Sequence, residues 1–186
     1  MDTDQKLLTY GKIAWLWSNS ELHKDWTVNL QAGFALPAIA KEQFCIVEQG
    51  GFPVAYCSWA FFDQETEEKY ILNPSLLNPD SWNCGDRLWF IDWISPFSAR
   101  YTWALRSEMA KQFPTKIARA LRVKKGNSRG RIATFAGLGL TQQDSRTKKR
   151  QYFEDMVVGL TTNPNRGDQF FLSGLGMDTQ PDTEIS

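Results

Sequence analysis

The sequence predicts a single domain of the α/β (α+β) class, in which helices flank a sheet. Apolar residues recur at helical spacing over 7–17, near the start of the chain. Two strand-like runs follow within 44–62, and a short apolar run at 88–94 is typical of a strand buried on both faces. With 186 residues, the chain is long enough for one domain with a substantial core.

The first part of the chain is predicted to contain two helices and a β-hairpin. The bounds are 7–17 and 26–39 for the helices, and 44–47 and 54–62 for the strands. Proline lacks an N–H and its ring clashes in a helix interior, so we expect Pro37 to stop or kink the second helix. Gly50 and Gly51 tolerate positive φ angles, which suit a tight turn between the two strands.

The remaining chain is predicted to place helices and strands around a central strand. The bounds are 63–72 for a helix or an edge strand, 73–83 for a loop, 87–95 for the central strand, 100–113 and 116–122 for two helices, 131–135 for a strand and 141–161 for a helix. Gly, Pro, Asn and Asp accumulate from Thr162 onward. We therefore expect a folded domain over 1–161 and a partly disordered tail over 162–186.

Asp92 is the one charged residue within the apolar run of the central strand. A buried carboxylate is costly unless it is paired or hydrogen-bonded, so we expect it to have a partner. Arg87 is one candidate, and His23, the only histidine of the chain, is another. A histidine oriented by a buried carboxylate is a general-base arrangement that works near neutral pH. The polar surroundings of His23 are equally compatible with an exposed or helix-capping histidine.

The three cysteines have no spacing typical of a metal site or a redox site. Cys45 and Cys57 are expected to be reduced and buried, whereas Cys84 precedes the central strand in a loop and is the better candidate for a nucleophile. The sequence contains no P-loop, no paired metal-ligand spacing and no glycine-rich dinucleotide motif. Nucleotide and metal cofactors are therefore not supported.

The net charge of zero conceals three segments of opposite sign. Residues 1–99 carry six Lys/Arg and thirteen Asp/Glu (−7), residues 100–150 carry fourteen and two (+12), and residues 151–186 carry one and six (−5). A segment as basic as 100–150 favours an acidic partner, such as nucleic acid, an anionic surface or an acidic protein. A non-catalytic nucleic-acid-binding or acidic-protein-binding module is therefore an alternative function, although no groove-reading motif is present.

Two features of the sequence bear on its location in the cell. No apolar stretch reaches the length of a membrane span. The polar, acidic N-terminus lacks the basic start and apolar block of a signal peptide. We therefore expect a cytoplasmic protein.

Three tryptophan-rich runs of the chain resemble the RTX toxin-activating lysine acyltransferases. They are residues 13–26 (IAWLWSNSELHKDW), 52–60 (FPVAYCSWA) and 82–97 (WNCGDRLWFIDWISPF). The likeness keeps the same order and spacing through roughly residues 10–136. Runs of this length and composition are a specific signal, and residues 137–186 match less well.

The resemblance implies a GNAT-like acyltransferase fold and transfer of a fatty acyl chain from acyl carrier protein to internal lysine ε-amines of an RTX protoxin, which becomes an active haemolysin. It implies that His23 and Asp92 are catalytic, that Ser20 lies near the site, and that the protein forms a homodimer. No cofactor is expected to be bound, because acyl-acyl carrier protein is the co-substrate. The glycine-rich pyrophosphate loop of ordinary GNAT enzymes has no counterpart in residues 119–131.

This activity agrees with the chemistry of the residues. A lysine amine has a reference pKa of about 10.4 and must lose a proton before it attacks a thioester. His23, oriented by Asp92, would take that proton, and Ser20 or backbone N–H groups would stabilise the oxyanion or position the substrate. The alternative route is an acyl-enzyme intermediate on Cys84, Ser20 or His23.

Acyl carrier proteins are acidic as a class, so we expect the basic segment 100–150 to bind the carrier protein. The protoxin is the alternative partner for this segment. We assign carrier-protein binding to four of its cations: Arg119, Arg122, Lys124 and Lys125. The eight Trp and twelve Phe residues are expected to fill the core and to line an acyl groove.

Overall fold

The structure is a computed structural model that describes residues 1–74, 77–122 and 131–165. Within these residues the chain forms five α-helices, five strands and a 3₁₀ turn. The helices are α1 (Thr3–Ser18), α2 (Val28–Ala40), α3 (Gln64–Leu72), α4 (Ala99–Gln112) and α5 (Gln142–Thr162). The strands are β1 (Phe44–Gln49), β2 (Phe52–Phe62), β3 (Arg87–Ile94), β4 (Ile117–Arg122) and β5 (Arg131–Ala136), and the 3₁₀ turn is Pro79–Trp82.

The strands form one sheet in the order β1-β2-β3-β4-β5, so β3 is the central strand, as predicted. Neighbouring strands are antiparallel except for β3 and β4, which are parallel. The pairing of β3 with β4 is short and consists of Trp89 with Arg119 and Phe90 with Ala120. The predicted single domain with a mixed sheet flanked by helices is confirmed, and the architecture is consistent with a GNAT-like fold.

Helices cover both faces of this sheet. On one face, called the α4 face below, Leu105 and Met109 of α4 pack on β2, β3 and β4. On the other, called the α1 face, Ile13 and Trp17 of α1 pack with α2 on β2 and β3. Helices α3 and α5 complete the α1 face with a further apolar cluster that contains Met156. The core therefore consists of two apolar layers separated by the sheet.

Local sequence explains where several elements begin. The Asp2 side chain accepts a hydrogen bond from the Gln5 N–H (2.8 Å), while the Gln5 side chain accepts one from the Asp2 N–H (3.1 Å). This reciprocal capping box starts α1. Gly50 and Gly51 have φ angles of 58° and 82°, which confirms the predicted hairpin turn. The segment predicted as a helix or an edge strand is helix α3, which Asp63 caps.

One local prediction is wrong, and another is narrowed. Residues 116–122, predicted as a helix, form β4, in which four successive buried residues fill the space beside β3. Ala, Leu and Arg are among the best helix formers, but intrinsic propensity is small per residue, and this tertiary packing overrides it. Helix α2 continues past Pro37 to Ala40, so the proline does not stop it, and the alternative of a kink at Pro37 stays a prediction.

Some predictions lie outside the described residues. These include the tail from residue 166 onward, together with Lys124 and Lys125. Among the helices that the structure describes, none combines the length and the apolar character needed to cross a bilayer. Within the same three ranges, no group of three or more His, Cys, Asp or Glu residues is placed to hold a metal ion.

Candidate active site

His23 lies in the turn between α1 and α2, where two tryptophans enclose its ring. The His23 N–H donates to the Ser20 carbonyl (3.0 Å), and the Trp26 N–H donates to the His23 carbonyl (2.9 Å). The Trp17 ring is parallel to the imidazole, with centroids 6.0 Å apart, and Trp26 meets the imidazole edge-on at 4.6 Å. The imidazole is only 7% exposed, so packing fixes its orientation.

Asp92 occupies a β-bulge in the central strand. The register between β2 and β3 shifts at Ser58. This one residue of β2 therefore lies opposite two residues of β3, Ile91 and Asp92. The Asp92 N–H donates a hydrogen bond to the Ser58 hydroxyl (3.2 Å). Bulges of this kind re-aim side chains and are common next to active sites.

The bulge decides which face of the sheet Asp92 reaches. Phe90 and Trp93 both pack on the α4 face, although strict alternation would place residues three apart on opposite faces. The extra residue between them accounts for this, and it leaves Asp92 on the α1 face with Ile94. Without the bulge, the carboxylate would point away from His23.

The structure brings Ser20, His23 and Asp92 into one chain of polar contacts. Nδ1 of His23 lies 2.7 Å from Oγ of Ser20, which is a hydrogen-bond distance. Nε2 of His23 lies 3.7 Å from Oδ1 of Asp92, an ion-pair contact that is longer than a hydrogen bond. Arg87, the other candidate partner of Asp92, pairs with Glu67 instead.

The Asp92 carboxylate is deeply buried and only partly satisfied. Its side chain is 5% exposed, and its Oδ2 atom has no hydrogen-bond partner among the described residues. Burial raises the pKa of the nearby Tyr56 hydroxyl well above its ordinary value, and the charge of Asp92 adds to this shift. A buried, incompletely paired charge costs folding free energy, and local costs of this kind are expected at functional sites.

The three side chains are arranged for proton transfer. When the Nε2–H of His23 is directed at Asp92, Nδ1 is the acceptor for the Ser20 hydroxyl proton; we assign this tautomer from the contacts. When both nitrogens carry a proton, the carboxylate lies beside the imidazolium and stabilises its charge. Ser20 is half-buried and His23 is buried, so the Ser20 hydroxyl is the more accessible end of the chain.

Arg119, one of the predicted carrier-binding cations, lies in the interior. It is 3% exposed, lies over the rings of Trp89 and Tyr152, and pairs with Glu67 at 2.5 Å. Burial lowers the pKa of Arg119, and the charge of Glu67 opposes that shift. A docking partner cannot reach this guanidinium, so the assignment of Arg119 to a docking surface is corrected.

Arg122, the second of these cations, is exposed at the end of β4. It lies opposite Arg131 of β5, and like charges in directly opposite positions are unfavourable. Because β3 and β4 are parallel, this basic end lies at the same edge of the sheet as the carboxyl end of β3, which carries Asp92. Lys124 and Lys125 follow Arg122 in the chain, outside the described residues.

The candidate nucleophiles occupy different environments. The exposed Cys84 donates from Sγ to Thr66 Oγ1 (3.4 Å) beside the start of α3. Cys57 is buried on the α4 face, and burial raises its pKa well above the ordinary value, as expected for an inert thiol. Ser20, in contrast, contacts His23 directly.

Sequence reasoning did not identify Trp17, Trp26 and Ser58 as parts of the site. The two tryptophans flank His23 in the sequence. This spacing is the feature from which a histidine enclosed by aromatic rings could have been predicted. Ser58 carries no comparable signal, because its role depends on which residues of β3 lie opposite it.

Comparison with known proteins identifies the family of this chain. The model of the RTX toxin acyltransferase family matches residues 2–136. The matched range begins before α1, ends with β5, and contains Ser20, His23 and Asp92.

Individual relatives are similar over most of the chain. The protein-lysine palmitoyltransferase CyaC of Bordetella bronchiseptica is 43% identical over 150 residues, which are 81% of this chain and 81% of the relative. The protein-lysine myristoyltransferase RtxC of Kingella kingae is 39% identical over 86% of this chain and 95% of its own. The leukotoxin-activating lysine-acyltransferase LtxC of Aggregatibacter actinomycetemcomitans is 41% identical over 84% of this chain and 92% of its own.

Proposed function

Because the chain belongs to the RTX toxin acyltransferase family, we propose that it is a protein-lysine fatty acyltransferase that activates an RTX protoxin. Its donor is acyl-acyl carrier protein, its acceptors are internal lysine ε-amines, and it needs no bound cofactor. The observation that carries the proposal is the contact of His23 with Ser20 on one side and with Asp92 on the other.

In this proposal, His23 is the general base. The amine nitrogen attacks the thioester carbonyl carbon while its proton passes through the Ser20 hydroxyl to Nδ1 of His23. Asp92 stabilises the imidazolium that results. The Nε2–Oδ1 distance of 3.7 Å is compatible with this role, because catalytic hydrogen bonds often tighten only when substrate binds. General base catalysis of this kind contributes about 10²–10⁴ in rate.

The remaining steps return the proton. Attack forms the C–N bond and a tetrahedral oxyanion, for which backbone N–H groups and the Ser20 hydroxyl are the candidate donors. The C–S bond then breaks, and His23 gives its proton to the departing thiolate of the donor. The products are an N-acyl-lysine and the free thiol of the carrier.

An acyl-enzyme on Ser20 is a second route to the same product, because the Ser20 oxygen lies at hydrogen-bond distance from Nδ1 of His23. Intact-mass analysis of the protein mixed with donor alone separates the two routes. An added acyl mass that disappears in Ser20→Ala would replace direct transfer with the acyl-enzyme route. An unmodified protein that still acylates added protoxin supports direct transfer.

Carrier-protein docking is assigned to Arg122, with Lys124 and Lys125 beyond it in the chain. Arg122 is exposed at the edge of the sheet that also carries Asp92. A carrier held there is well placed to present its thioester to the His23 site. Opposite charges on the two proteins would raise the rate of encounter.

The proposal also places the protein in the cytoplasm as a homodimer and makes its product a haemolytic toxin. These three points rest on the family resemblance of residues 13–26, 52–60 and 82–97. The relatives' names support toxin activation: one is named leukotoxin-activating and another RTX-II toxin-activating.

Intact-mass analysis of the partner protoxin tests this function. The protoxin is coexpressed with wild type, His23→Ala or His23→Phe. We expect an added fatty acyl mass with wild type and none with either variant. His23→Phe keeps a ring between Trp17 and Trp26, so its inactivity reports the missing imidazole rather than lost aromatic packing.

Each other outcome is informative. Near wild-type acylation by a folded His23 variant would remove His23 as the base and keep the acyltransferase function. An unmodified protoxin after coexpression with wild type would overturn the proposed function itself. Melting temperatures of the three proteins establish that the variants are folded.

A further inference from the structure

Tyr56 is a buried polar residue of the α1 face that the proposed mechanism does not use. It lies in β2 opposite Ile94 of β3, and its side chain is fully buried. Asp92 precedes Ile94 by two residues on the same face, so Tyr56 and Asp92 are diagonal neighbours across the two strands. Diagonal neighbours are about 7–8 Å apart, which is within reach of an aromatic side chain. The Tyr56 side chain is therefore long enough to bring its hydroxyl to the Asp92 carboxylate.

Two polar atoms at this position lack hydrogen-bond partners. Oη of Tyr56 and Oδ2 of Asp92 are both buried, and neither has a partner among the described residues. Buried polar groups are nearly always hydrogen-bonded. A phenol hydroxyl donates, whereas a carboxylate oxygen only accepts, so each atom supplies what the other lacks. Oδ1, the other carboxylate oxygen, lies towards Nε2 of His23.

The surroundings of Asp92 keep Tyr56 in its protonated, donating form. Burial raises the pKa of Tyr56 well above its ordinary value, the charge of Asp92 raises it further, and the Ser58 hydroxyl acts against this rise. Burial and the charge of Asp92 also raise the pKa of Tyr70 in α3. The titratable groups that face Asp92 or respond to its charge are thus His23, Tyr56, Tyr70 and, across the sheet, Cys57.

We propose that Tyr56 is a positioning residue for the proposed base: its hydroxyl donates a hydrogen bond to Oδ2 of Asp92 and leaves Oδ1 to contact His23. This inference rests on the proposed function. The two atoms are not directly hydrogen-bonded in the structure, so the contact is made through one bridging water or a small side-chain movement. A hydrogen bond to the charged form of a group favours that form. The contact therefore holds the carboxylate ionised and aimed at the imidazole.

Tyr56→Phe tests this role, because it removes the hydroxyl and keeps the ring. We expect kcat/KM for lysine acylation to fall about tenfold or more, as for the loss of a hydrogen bond to a charged group. The acidic limb of the pH profile should move to higher pH by about one unit, because the His23–Asp92 pair without this donor takes up a proton more readily.

Tyr10→Phe is the matched control. Tyr10 is half-buried in α1, and its ring packs against the same apolar cluster as Tyr56. The variant removes the same oxygen atom from a position outside the proposed contact. We expect it to keep the wild-type rate and the wild-type pH profile.

A double variant tests whether Tyr56 acts through Asp92. In an Asp92→Asn background, Tyr56→Phe should lower kcat/KM far less than it does in wild type, because residues in one network are not additive. An equal factor in both backgrounds would overturn the positioning role, since the effects of independent sites add. A lower rate with an unmoved acidic limb would likewise overturn it and leave Tyr56 with a packing role.

An NMR measurement keeps the inference testable if Tyr56→Phe does not fold. The protein is labelled with ¹³C at Cζ of tyrosine, the ring carbon that carries the hydroxyl. We expect Asp92→Asn to shift the assigned Tyr56 signal, and Asp86→Asn, the same change at an exposed position, to leave it in place. A Tyr56 signal that Asp92→Asn does not move would contradict the contact.

The outcomes separate this inference from the proposed function. If wild type transfers no acyl group to the protoxin, the proposed function fails, and the role of Tyr56 in it fails as well. If wild type acylates the protoxin and folded Tyr56→Phe keeps the wild-type rate and pH profile, the function stands and Tyr56 is not a positioning residue.

Discussion

Asp92 serves the proposed catalysis at a cost in stability. Its carboxylate is buried on the α1 face, 3.7 Å from the imidazole of His23, and its Oδ2 atom has no partner among the described residues. Asparagine has nearly the same shape and carries no charge. Removing the buried charge in this way relieves a desolvation cost that the single ion-pair contact offsets only in part.

We therefore expect Asp92→Asn to lose activity without losing stability. The value of kcat/KM for lysine acylation should fall by about 10²–10⁴, because the imidazolium loses its stabilising charge. The melting temperature should stay the same or rise. Asp86→Asn, an identical change at an exposed position just before β3, is the control and should behave as wild type. A large drop in melting temperature for Asp92→Asn would mean that Asp92 is structural.

At the scale of elements, β3 shows which features of the site can be predicted from local sequence. Its apolar run predicts a buried central strand, and the cost of burying Asp92 predicts a partner for it. The bulge opposite Ser58 is not visible in this run, because strand register depends on pairing with β2. The pairing of Asp92 with His23 was therefore one of two predicted alternatives, whereas the geometry that selects it required the structure.

Strand β4 shows a related failure. Its sequence contains helix formers, and Arg119 within it resembles an exposed cation when the chain is read locally. In the structure, Arg119 lies between aromatic rings and pairs with Glu67 of α3, which is distant in the sequence. No local pattern predicts such a contact. The net charge counted over the basic segment 100–150 is therefore larger than the charge that a partner can reach.

Helix α3 holds Glu67 in place, and Asp63 caps this helix. The Asp63 carboxylate accepts a hydrogen bond from the Thr66 N–H (2.8 Å), which lowers the pKa of Asp63. We expect Asp63→Ala to cost about 1 kcal/mol of unfolding free energy at pH 7, measured by urea unfolding. A cost within error of zero would mean that α3 is held by packing alone.

Asp63→Asn separates the charge from the cap, because Asn caps helices about as well as Asp. A lowered pKa stabilises the fold above the ordinary aspartate value of about 3.9, and this contribution is lost as pH falls through the lowered value. The stability difference between wild type and Asp63→Asn should therefore shrink below about pH 3.9. A difference that grows as the pH falls would contradict the direction of the shift.

At the scale of the whole molecule, the charges lie in separate regions. The first 99 residues carry a net −7 and residues 100–150 a net +12. The sheet brings part of the positive region, at the end of β4, to the edge that also carries Asp92. An acidic donor attracted to this edge would arrive beside the proposed catalytic residues, and the attraction should weaken in salt.

Arg122→Glu tests this arrangement against its matched control, Lys41→Glu. Lys41 is exposed at the end of α2, outside the basic segment, and the change in charge is the same. At low salt, we expect Arg122→Glu to raise the KM for acyl-acyl carrier protein about tenfold with little change in kcat, and Lys41→Glu to have a much smaller effect. The difference should shrink as salt shortens the Debye length from about 10 Å at 0.1 M to about 3 Å at 1 M.

Equal effects of the two variants would show that only net charge matters. A rise in the KM for protoxin instead would assign this basic edge to the toxin, because each partner's KM reports its own encounter with the enzyme.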